Sequence, residues 1–180
     1  MNTGWLTATG LASALVAVPP LADLPRIIIW NASLSVPIGL YAVGPATHLE
    51  VTDLVVVEPP EPLATRLAEG VYLPHGVRLM KRVLALPGQT VCRDGLVITV
   101  DGLAIGTARE HDSRGRPLPV WQGCRTLRRG DVFLMNWQSG DSFDGRYFGV
   151  LPRAAIIGRA TPLITDEDGD GQFHWRAATR

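Results

Sequence analysis

The sequence predicts a mainly β fold, an antiparallel sheet or open barrel, preceded by one N-terminal transmembrane helix. Three observations predict it. Short apolar runs rich in branched residues recur from residue 27 onward, with Gly, Pro and Asp turn signals between them. In the soluble part, helical periodicity with a clear stop signal is found over residues 61–69, which end at Gly70. The N-terminal stretch carries no charged side chain before Asp23.

The apolar N-terminal run covers residues 5–22 and is near the lower length limit for a membrane-spanning helix. A cleaved signal peptide would have a basic start, which is missing here. A buried core helix would show an amphipathic stripe, whereas this run is apolar nearly all round. We therefore predict a membrane anchor over residues 1–24, which the pair Pro19-Pro20 would kink or terminate.

The predicted elements of residues 25–180 follow from local patterns. Residues 61–69 form a helix with Leu63 and Leu67 on one side. Residues 97–100 and 103–105 flank the turn Asp101-Gly102 and predict a hairpin. Residues 110–119 are rich in Gly, Pro and Arg and predict a loop. The other predicted strands cover residues 27–30, 53–57, 78–86, 131–135 and 155–158.

The charge balance argues against a nucleic-acid partner. The chain has 17 basic and 17 acidic residues, so no high pI or strong basic patch is expected. The four histidines are scattered and there is no second cysteine pair, so we predict neither a metal nor a cofactor. Residues 166–171 match the first half of a calcium loop but lack its twelfth-position glutamate, and we interpret them as a solvated acidic turn.

Lys81 is the only lysine of the chain and lies in an apolar run. Arginine replacing lysine through codon bias would explain the count. However, a lysine amine in an apolar pocket can lose its proton near neutral pH and act as a base. On a strand, alternation puts Lys81 on the apolar face with Leu79 and Val83, and points Arg82 to the outside.

Three segments carry chemistry in a recognisable order. They are Ser-Val-Pro-Ile-Gly at residues 35–39, Lys-Arg-Val-Leu-Ala-Leu-Pro-Gly at residues 81–88, and Gly-Asp-Ser-Phe-Asp-Gly-Arg-Tyr-Phe-Gly at residues 140–149. Together, behind an apolar anchor, they resemble the serine, lysine and closing boxes of the type I signal peptidase family. The sequence of these segments is most similar to the conjugative-transfer branch of that family, the TraF-type peptidases. The resemblance implies a signal-peptidase-like β fold for residues 25–180.

The resemblance also implies roles for five residues. Ser35 would be the nucleophile and Lys81 its general base, since a serine hydroxyl needs a base within hydrogen-bond reach. Ser33 matches a hydroxyl donor to the oxyanion, although an ordinary turn serine is an equal alternative. Ser142 matches a hydroxyl that orients the lysine amine. Asp144 matches an acidic position that resembles a third catalytic member in the TraF branch and, in the general family, half of a structural pair with the arginine two residues on, here Arg146. A carboxylate close to Lys81 would raise the lysine pKa, so we expect Asp144 to order the site.

Gly145 stands where the general enzymes commonly have serine, which leaves one hydroxyl fewer near the site. The two cysteines, Cys92 and Cys124, would be free thiols in a cytosolic protein and bridged in an oxidising compartment. An anchor that exports the rest of the chain favours a disulfide, and the pair also fits the TraF branch.

The resemblance implies a membrane-anchored serine endopeptidase of plasmid transfer. Its catalytic domain, residues 25–180, would lie in the periplasm at the bacterial inner membrane and process a pilin prosubunit. Acyl transfer to the pilin's own amine would give a cyclic product. Other conjugative transfer (type IV secretion) proteins are further expected partners. Two alternatives are a general signal peptidase acting on many exported proteins and a silent β-domain that serves as an envelope scaffold.

Overall fold

The structure is a computed structural model that describes residues 27–70, 72–74 and 76–177, together with Gly4, Thr7 and Ser13. Apart from those three residues, the predicted anchor over residues 1–24 lies outside the described residues. Within the described part of the chain, no helix is long and apolar enough to cross a membrane. The anchor therefore stays a prediction.

From residue 27 onward, the described residues form mainly β structure with two short α-helices. The strands are β1 Ile27–Asn31, β2 Ile38–Gly44, β3 Leu54–Val57, β4 Leu79–Ala85, β5 Thr90–Asp94, β6 Val97–Val100, β7 Leu103–Thr107, β8 Gly123–Thr126, β9 Asp131–Leu134, β10 Leu151–Pro152, β11 Ile156–Asp166 and β12 His174–Trp175. The helices are α1 Glu61–Glu69 and α2 Gly145–Phe148, and a 3₁₀ turn covers Arg153–Ala155.

The strands form two antiparallel sheets. The larger sheet has the order β1-β2-β11-β3-β4-β9-β10, with β12 paired to β11. The smaller sheet has the order β7-β6-β5-β8. Every described strand pair is antiparallel, so the predicted mainly β, antiparallel fold is confirmed.

Strand β4 runs through the middle of the larger sheet, between β3 and β9. All seven of its residues are buried, and they contribute to three hydrophobic clusters. Leu79 and Val83 pack in the same cluster as Leu63 and Leu67 of α1. The predicted helix over residues 61–69 is confirmed, and β4 holds Lys81 at the centre of the sheet.

The prediction that Arg82 points to the outside is wrong. Its side chain lies on the other face of β4 from Lys81, but only 3% of the residue is exposed. The guanidinium donates a hydrogen bond to the Thr52 carbonyl at 3.1 Å and lies 5.7 Å from the centre of the Trp137 ring. Both faces of the sheet are covered at β4, so alternation along the strand does not separate buried from exposed residues.

The smaller sheet carries the disulfide and the predicted hairpin. Cys92 on β5 is bonded to Cys124 on β8, where the two residues lie directly opposite each other. The predicted bridge is therefore confirmed. Strands β6 and β7 are joined through Asp101 and Gly102, whose φ angles of 50° and 82° are those of a type I′ hairpin turn.

Candidate active site

The loop that carries Ser35 joins β1 to β2 and is organised by Asn31. The Asn31 side-chain amide donates to the carbonyls of Ser33 at 2.8 Å, Val36 at 3.0 Å and Pro37 at 3.0 Å. Its oxygen accepts the backbone N–H of Ser33 at 3.1 Å. One buried side chain therefore fixes the loop on both sides of Ser35. Asn31 was not among the predicted site residues, although an asparagine at the end of a strand, before a serine-rich turn, is a known signal for such contacts.

Gly39 fixes how this loop enters β2. Its φ is 151°, and a Cβ there would lie 2.2 Å from the Ile164 carbonyl oxygen and 2.7 Å from the Thr165 Cα. No larger residue fits without moving β11 away from β2. Glycine at the end of the serine box is therefore required by the close packing of β2 against β11.

The hydroxyls of Ser33 and Ser35 lie 2.9 Å apart, within hydrogen-bond distance. Ser35 is half-buried and Ser33 is exposed. Within the described part of the chain no hydrogen bond joins Ser35 to Lys81. Catalytic hydrogen bonds are often long in ligand-free sites and tighten when substrate binds. Val36, next to Ser35, packs in one core cluster with Met80, next to Lys81.

The Lys81 amine is buried and held by a hydroxyl. Only 3% of the residue is exposed, and Nζ donates to the Ser142 Oγ at 2.8 Å. Among the described residues, Lys81 forms no ion pair. Burial lowers the pKa of Lys81 from 10.5 to about 8, nearby Asp144 opposes this change, and Arg146 adds to it.

Asp144 is fully buried and is occupied by Arg146 and the backbone. Its Oδ1 accepts from the Arg146 Nε at 2.9 Å and from the Arg146 backbone N–H at 3.1 Å. Its Oδ2 accepts from the Arg146 Nη2 at 2.9 Å and from the Asn136 backbone N–H at 3.0 Å. Asp144 also caps the N-terminus of α2. The carboxylate is thus bound to its neighbours and makes no ion pair with Lys81.

Arg146 in turn fixes the loop that presents Ser142. Its Nη2 donates to the carbonyls of Ser139 at 2.6 Å, Ser142 at 3.2 Å and Asn136 at 3.5 Å. These carbonyls lie along the segment between β9 and α2. The buried pair of Asp144 and Arg146 therefore holds the Ser142 backbone in place beneath the lysine amine.

Gly145 lies tightly against β9. A Cβ there would be 2.6 Å from the Leu134 carbonyl oxygen and 2.7 Å from the Phe133 ring. The absence of a serine at this position therefore follows from the close packing of α2 on the sheet.

A pocket of about 350 Å³ opens beside Ser35. Three segments line it: residues 34–38 of the serine loop, Gln138 and Ser139 after β9, and residues 166–169 at the end of β11 and just beyond it. In the last segment, the Asp166 carboxylate accepts backbone N–H groups of residues 169–171 and shapes the turn. The predicted nucleophile thus shares a pocket with the segment that leads to Ser142.

Comparisons with known proteins assign the family. The family model described as signal peptidase, peptidase S26, matches residues 2–164. The plasmid transfer protein TraF of Escherichia coli is 34% identical over 165 residues, which cover 87% of this chain and 91% of that protein. The conjugal transfer protein TraF of Agrobacterium fabrum (strain C58) is 33% identical over 148 residues, with 75% and 81% covered.

A crystal structure of a signal peptidase I from Enterococcus faecalis V583 is 20% identical and aligns with a TM-score of 0.38. The alignment covers 63% of this chain and 97% of that one. The sequence matches, and not this weak structural likeness, identify the family. They agree with the serine, lysine and closing boxes on which the resemblance rests. This chain belongs to the signal peptidase family, peptidase S26.

Proposed function

We propose that this chain is a serine endopeptidase in which Ser35 is the nucleophile and Lys81 the general base. The observation that carries the proposal is the buried Lys81 amine, held by the Ser142 hydroxyl at 2.8 Å without an ion pair among the described residues. A pKa of about 8 leaves part of the amine neutral near neutral pH and most of it neutral above pH 8. A neutral lysine can accept a proton, whereas an exposed lysine with the ordinary pKa of 10.5 is almost wholly protonated near neutral pH.

The chemistry proposed for the site is acyl transfer through Ser35. Neutral Lys81 accepts the hydroxyl proton while the Ser35 Oγ attacks the scissile carbonyl carbon. The oxyanion that forms accepts hydrogen bonds from the Ser35 backbone N–H and the Ser33 hydroxyl, which lies beside Ser35. The lysine then donates its proton to the leaving amine. A water molecule, deprotonated by the same lysine, hydrolyses the acyl-enzyme.

Ser142 and Asp144 support this chemistry in different ways. Ser142 accepts the hydrogen bond that aims the Lys81 amine. The resemblance implies a catalytic role for Asp144 in the TraF branch, whereas the sequence analysis expects it to order the site. Its carboxylate is bound by Arg146 and by two backbone N–H groups, which supports the ordering role. We assign it as a positioning residue that acts through the segment carrying Ser142.

The proposed substrate is the prosubunit of a conjugative pilin. Two observations support it. Relatives of this chain are named as plasmid and conjugal transfer proteins, and the sequence of the serine box at residues 35–39 is similar to that of TraF-type peptidases. The acyl group on Ser35 would be released by hydrolysis, which gives a linear pilin, or by transfer to the pilin's own amine, which gives a cyclic one. Incubation of the purified enzyme with the prosubunit, followed by mass spectrometry, tests both: the cyclic product is lighter than the linear one by one water.

The proposed place of work is the periplasmic face of the inner membrane. An apolar surface lies beside the serine loop, where Ile28, Trp30, Leu34 and Trp175 are 57%, 55%, 80% and 69% exposed. The Trp30 ring is 5.9 Å from that of Phe173. Exposed clustered aromatics of this kind suit a membrane interface, where a membrane-bound substrate would meet Ser35.

A general signal peptidase is the second candidate. It is favoured by a relative named probable signal peptidase I-1 of Synechocystis, which is 33% identical over 111 residues and covers 62% of this chain and 52% of that protein. Cleavage of unrelated exported precursors at the rate of the pilin prosubunit would favour this candidate over the pilin-specific one.

The decisive experiment compares Ser35→Ala and Lys81→Ala with Ser113→Ala, an exposed serine in the loop over residues 110–119. We expect the first two variants to lose processing of the prosubunit by at least about a thousandfold, while Ser113→Ala keeps the wild-type rate. Wild-type processing by either of the first two would reject the proposed pair. Restored plasmid transfer by all three variants in cells would instead support the scaffold alternative.

A further inference from the structure

The side chain of Asn136 continues the hydrogen bonding to β4 beside Lys81 after strand β9 has ended. Strand β9 pairs with β4 and ends at Leu134, and the last backbone contact on this side is from the Met135 N–H to the Arg82 carbonyl. Beyond that point, the Asn136 Oδ1 accepts the Arg82 N–H at 2.9 Å. Its Nδ2 donates to the Met80 carbonyl at 3.1 Å.

A side-chain amide can do this because it carries the same donor and acceptor as a peptide group. The two backbone groups that it satisfies belong to the residues on either side of Lys81. Asn136 is itself 2% exposed, so neither group has solvent as an alternative partner. Removing the amide would draw water to these groups, next to the lysine.

The backbone of Asn136 contacts the closing box at the same time. Its N–H donates to the Asp144 Oδ2 at 3.0 Å, and its carbonyl accepts from the Arg146 Nη2 at 3.5 Å. One residue therefore connects the strand that carries Lys81 to the segment that carries Ser142.

We propose that Asn136 is a positioning residue for Lys81, which locks β4 to the closing box and keeps water away from the amine. The inference rests on the proposed function for its catalytic meaning, but its structural content can be measured without substrate. The charged groups that face the amine are Asp144 and Arg146. Both residues are still present in an Asn136 variant, so the charges that face the amine are the same as in the wild type.

The test is an NMR titration of the full chain in detergent with isotope-labelled lysine, because Lys81 is the only lysine and gives a single signal. In Asn136→Ala we expect the pKa of Lys81 to rise by about one pKa unit or more, because water that reaches the amine removes part of the desolvation. The kcat for the prosubunit should fall by about tenfold or more with a smaller change in KM.

The matched control is Gln89→Ala. Gln89 is a second side-chain amide that contacts the same chain segment: its Oε1 accepts the Leu86 N–H at 3.0 Å, just after β4 and away from the lysine. We expect this variant to keep the wild-type lysine pKa and kcat. A lysine pKa in Asn136→Ala that equals that of Gln89→Ala would overturn the proposal.

Asn136→Ser is the second variant in case the alanine variant does not fold. Its hydroxyl leaves a polar group beside the Arg82 N–H and the Met80 carbonyl, so the lysine pKa should rise less but in the same direction. An unchanged pKa in a folded Asn136→Ser variant would also count against the proposal. If the wild-type chain cleaves no substrate, the proposed function fails, yet the titration still decides whether Asn136 positions the amine.

Discussion

The Lys81 amine and the Ser142 hydroxyl are joined by a buried hydrogen bond of 2.8 Å. A hydroxyl orients the amine without adding a negative charge that would hold its proton. The nearest negative group of the closing box, Asp144, is instead paired with Arg146. This arrangement keeps the amine in place and leaves its pKa to be set chiefly by burial.

The first prediction concerns the stability cost of Lys81. Its pKa falls from 10.5 to about 8 on folding, which corresponds to about 3 kcal/mol of destabilisation at pH 7. Between those two values the unfolded chain binds more protons, so stability rises with pH. Lys81→Met should therefore be more stable than wild type by about 2 kcal/mol at pH 7, after allowing for the lost hydrogen bond, and this gain should vanish near pH 10.

Urea unfolding at pH 7 and pH 10 measures the difference. The control is Met80→Leu, a substitution of similar volume one residue away, whose effect should not depend on pH. A Lys81→Met variant that is no more stable than wild type at pH 7 would show that burial of the amine has no cost.

The second prediction concerns Asp144. Asp144→Asn leaves the Arg146 guanidinium buried with no countercharge, so it should cost about 3–5 kcal/mol of unfolding free energy. The control is Asp141→Asn in the same segment, because the ion pair of Asp141 with Arg109 is exposed and should contribute less than about 1 kcal/mol. Chemical denaturation compares the two, and equal costs would refute the structural role of Asp144.

The third prediction concerns Gly145. Gly145→Ala should destabilise the protein by about 2 kcal/mol or more, because the added methyl group meets the Leu134 carbonyl and the Phe133 ring. Gly44→Ala is the control, since a Cβ at Gly44 meets nothing within 4 Å. Thermal melting distinguishes them, and a neutral Gly145→Ala would mean that α2 can move away from β9.

The fourth prediction concerns the disulfide. Replacing Cys92 and Cys124 together by alanine should reduce stability by roughly 3–4 kcal/mol, because the bond closes a loop with a sequence separation of 32. The bond lies in the smaller sheet, so the processing rate at 25 °C should not change. A reductant should lower the melting temperature of the wild type and leave the double variant unaffected. No effect on the wild type would contradict the prediction.

The elements with local signals could be predicted from the sequence. Helix α1 has its apolar face and stop residue, and the β6–β7 hairpin has its Asp-Gly turn. Strand β8 was missed because all four of its residues are exposed and its pairing depends on the distant β5. Strand β11 was predicted only at its start, because Pro162 interrupts the pattern at a register shift. Strand β2 was also missed, because its first residues overlap with the serine box, whose Pro and Gly are typical of a turn.

The residues of the candidate site were predictable where the proposed chemistry requires a particular residue type. Ser35, Lys81 and Ser142 follow from the boxes, whereas the residues that support them in the fold do not. Asn31 and Asn136 act through backbone groups that only the folded chain brings near them. Arg82 was misplaced because alternation reports the face of a strand but not whether that face is covered.

The measurement that tests the central claim most directly is the titration of Lys81 in the wild-type enzyme, followed through its single labelled signal. We predict a pKa of about 8, with kcat/KM for the prosubunit rising about tenfold per pH unit below that value and levelling above it. A lysine pKa near 10.5, with a rate that does not follow the loss of its proton, would contradict the assignment of Lys81 as the base.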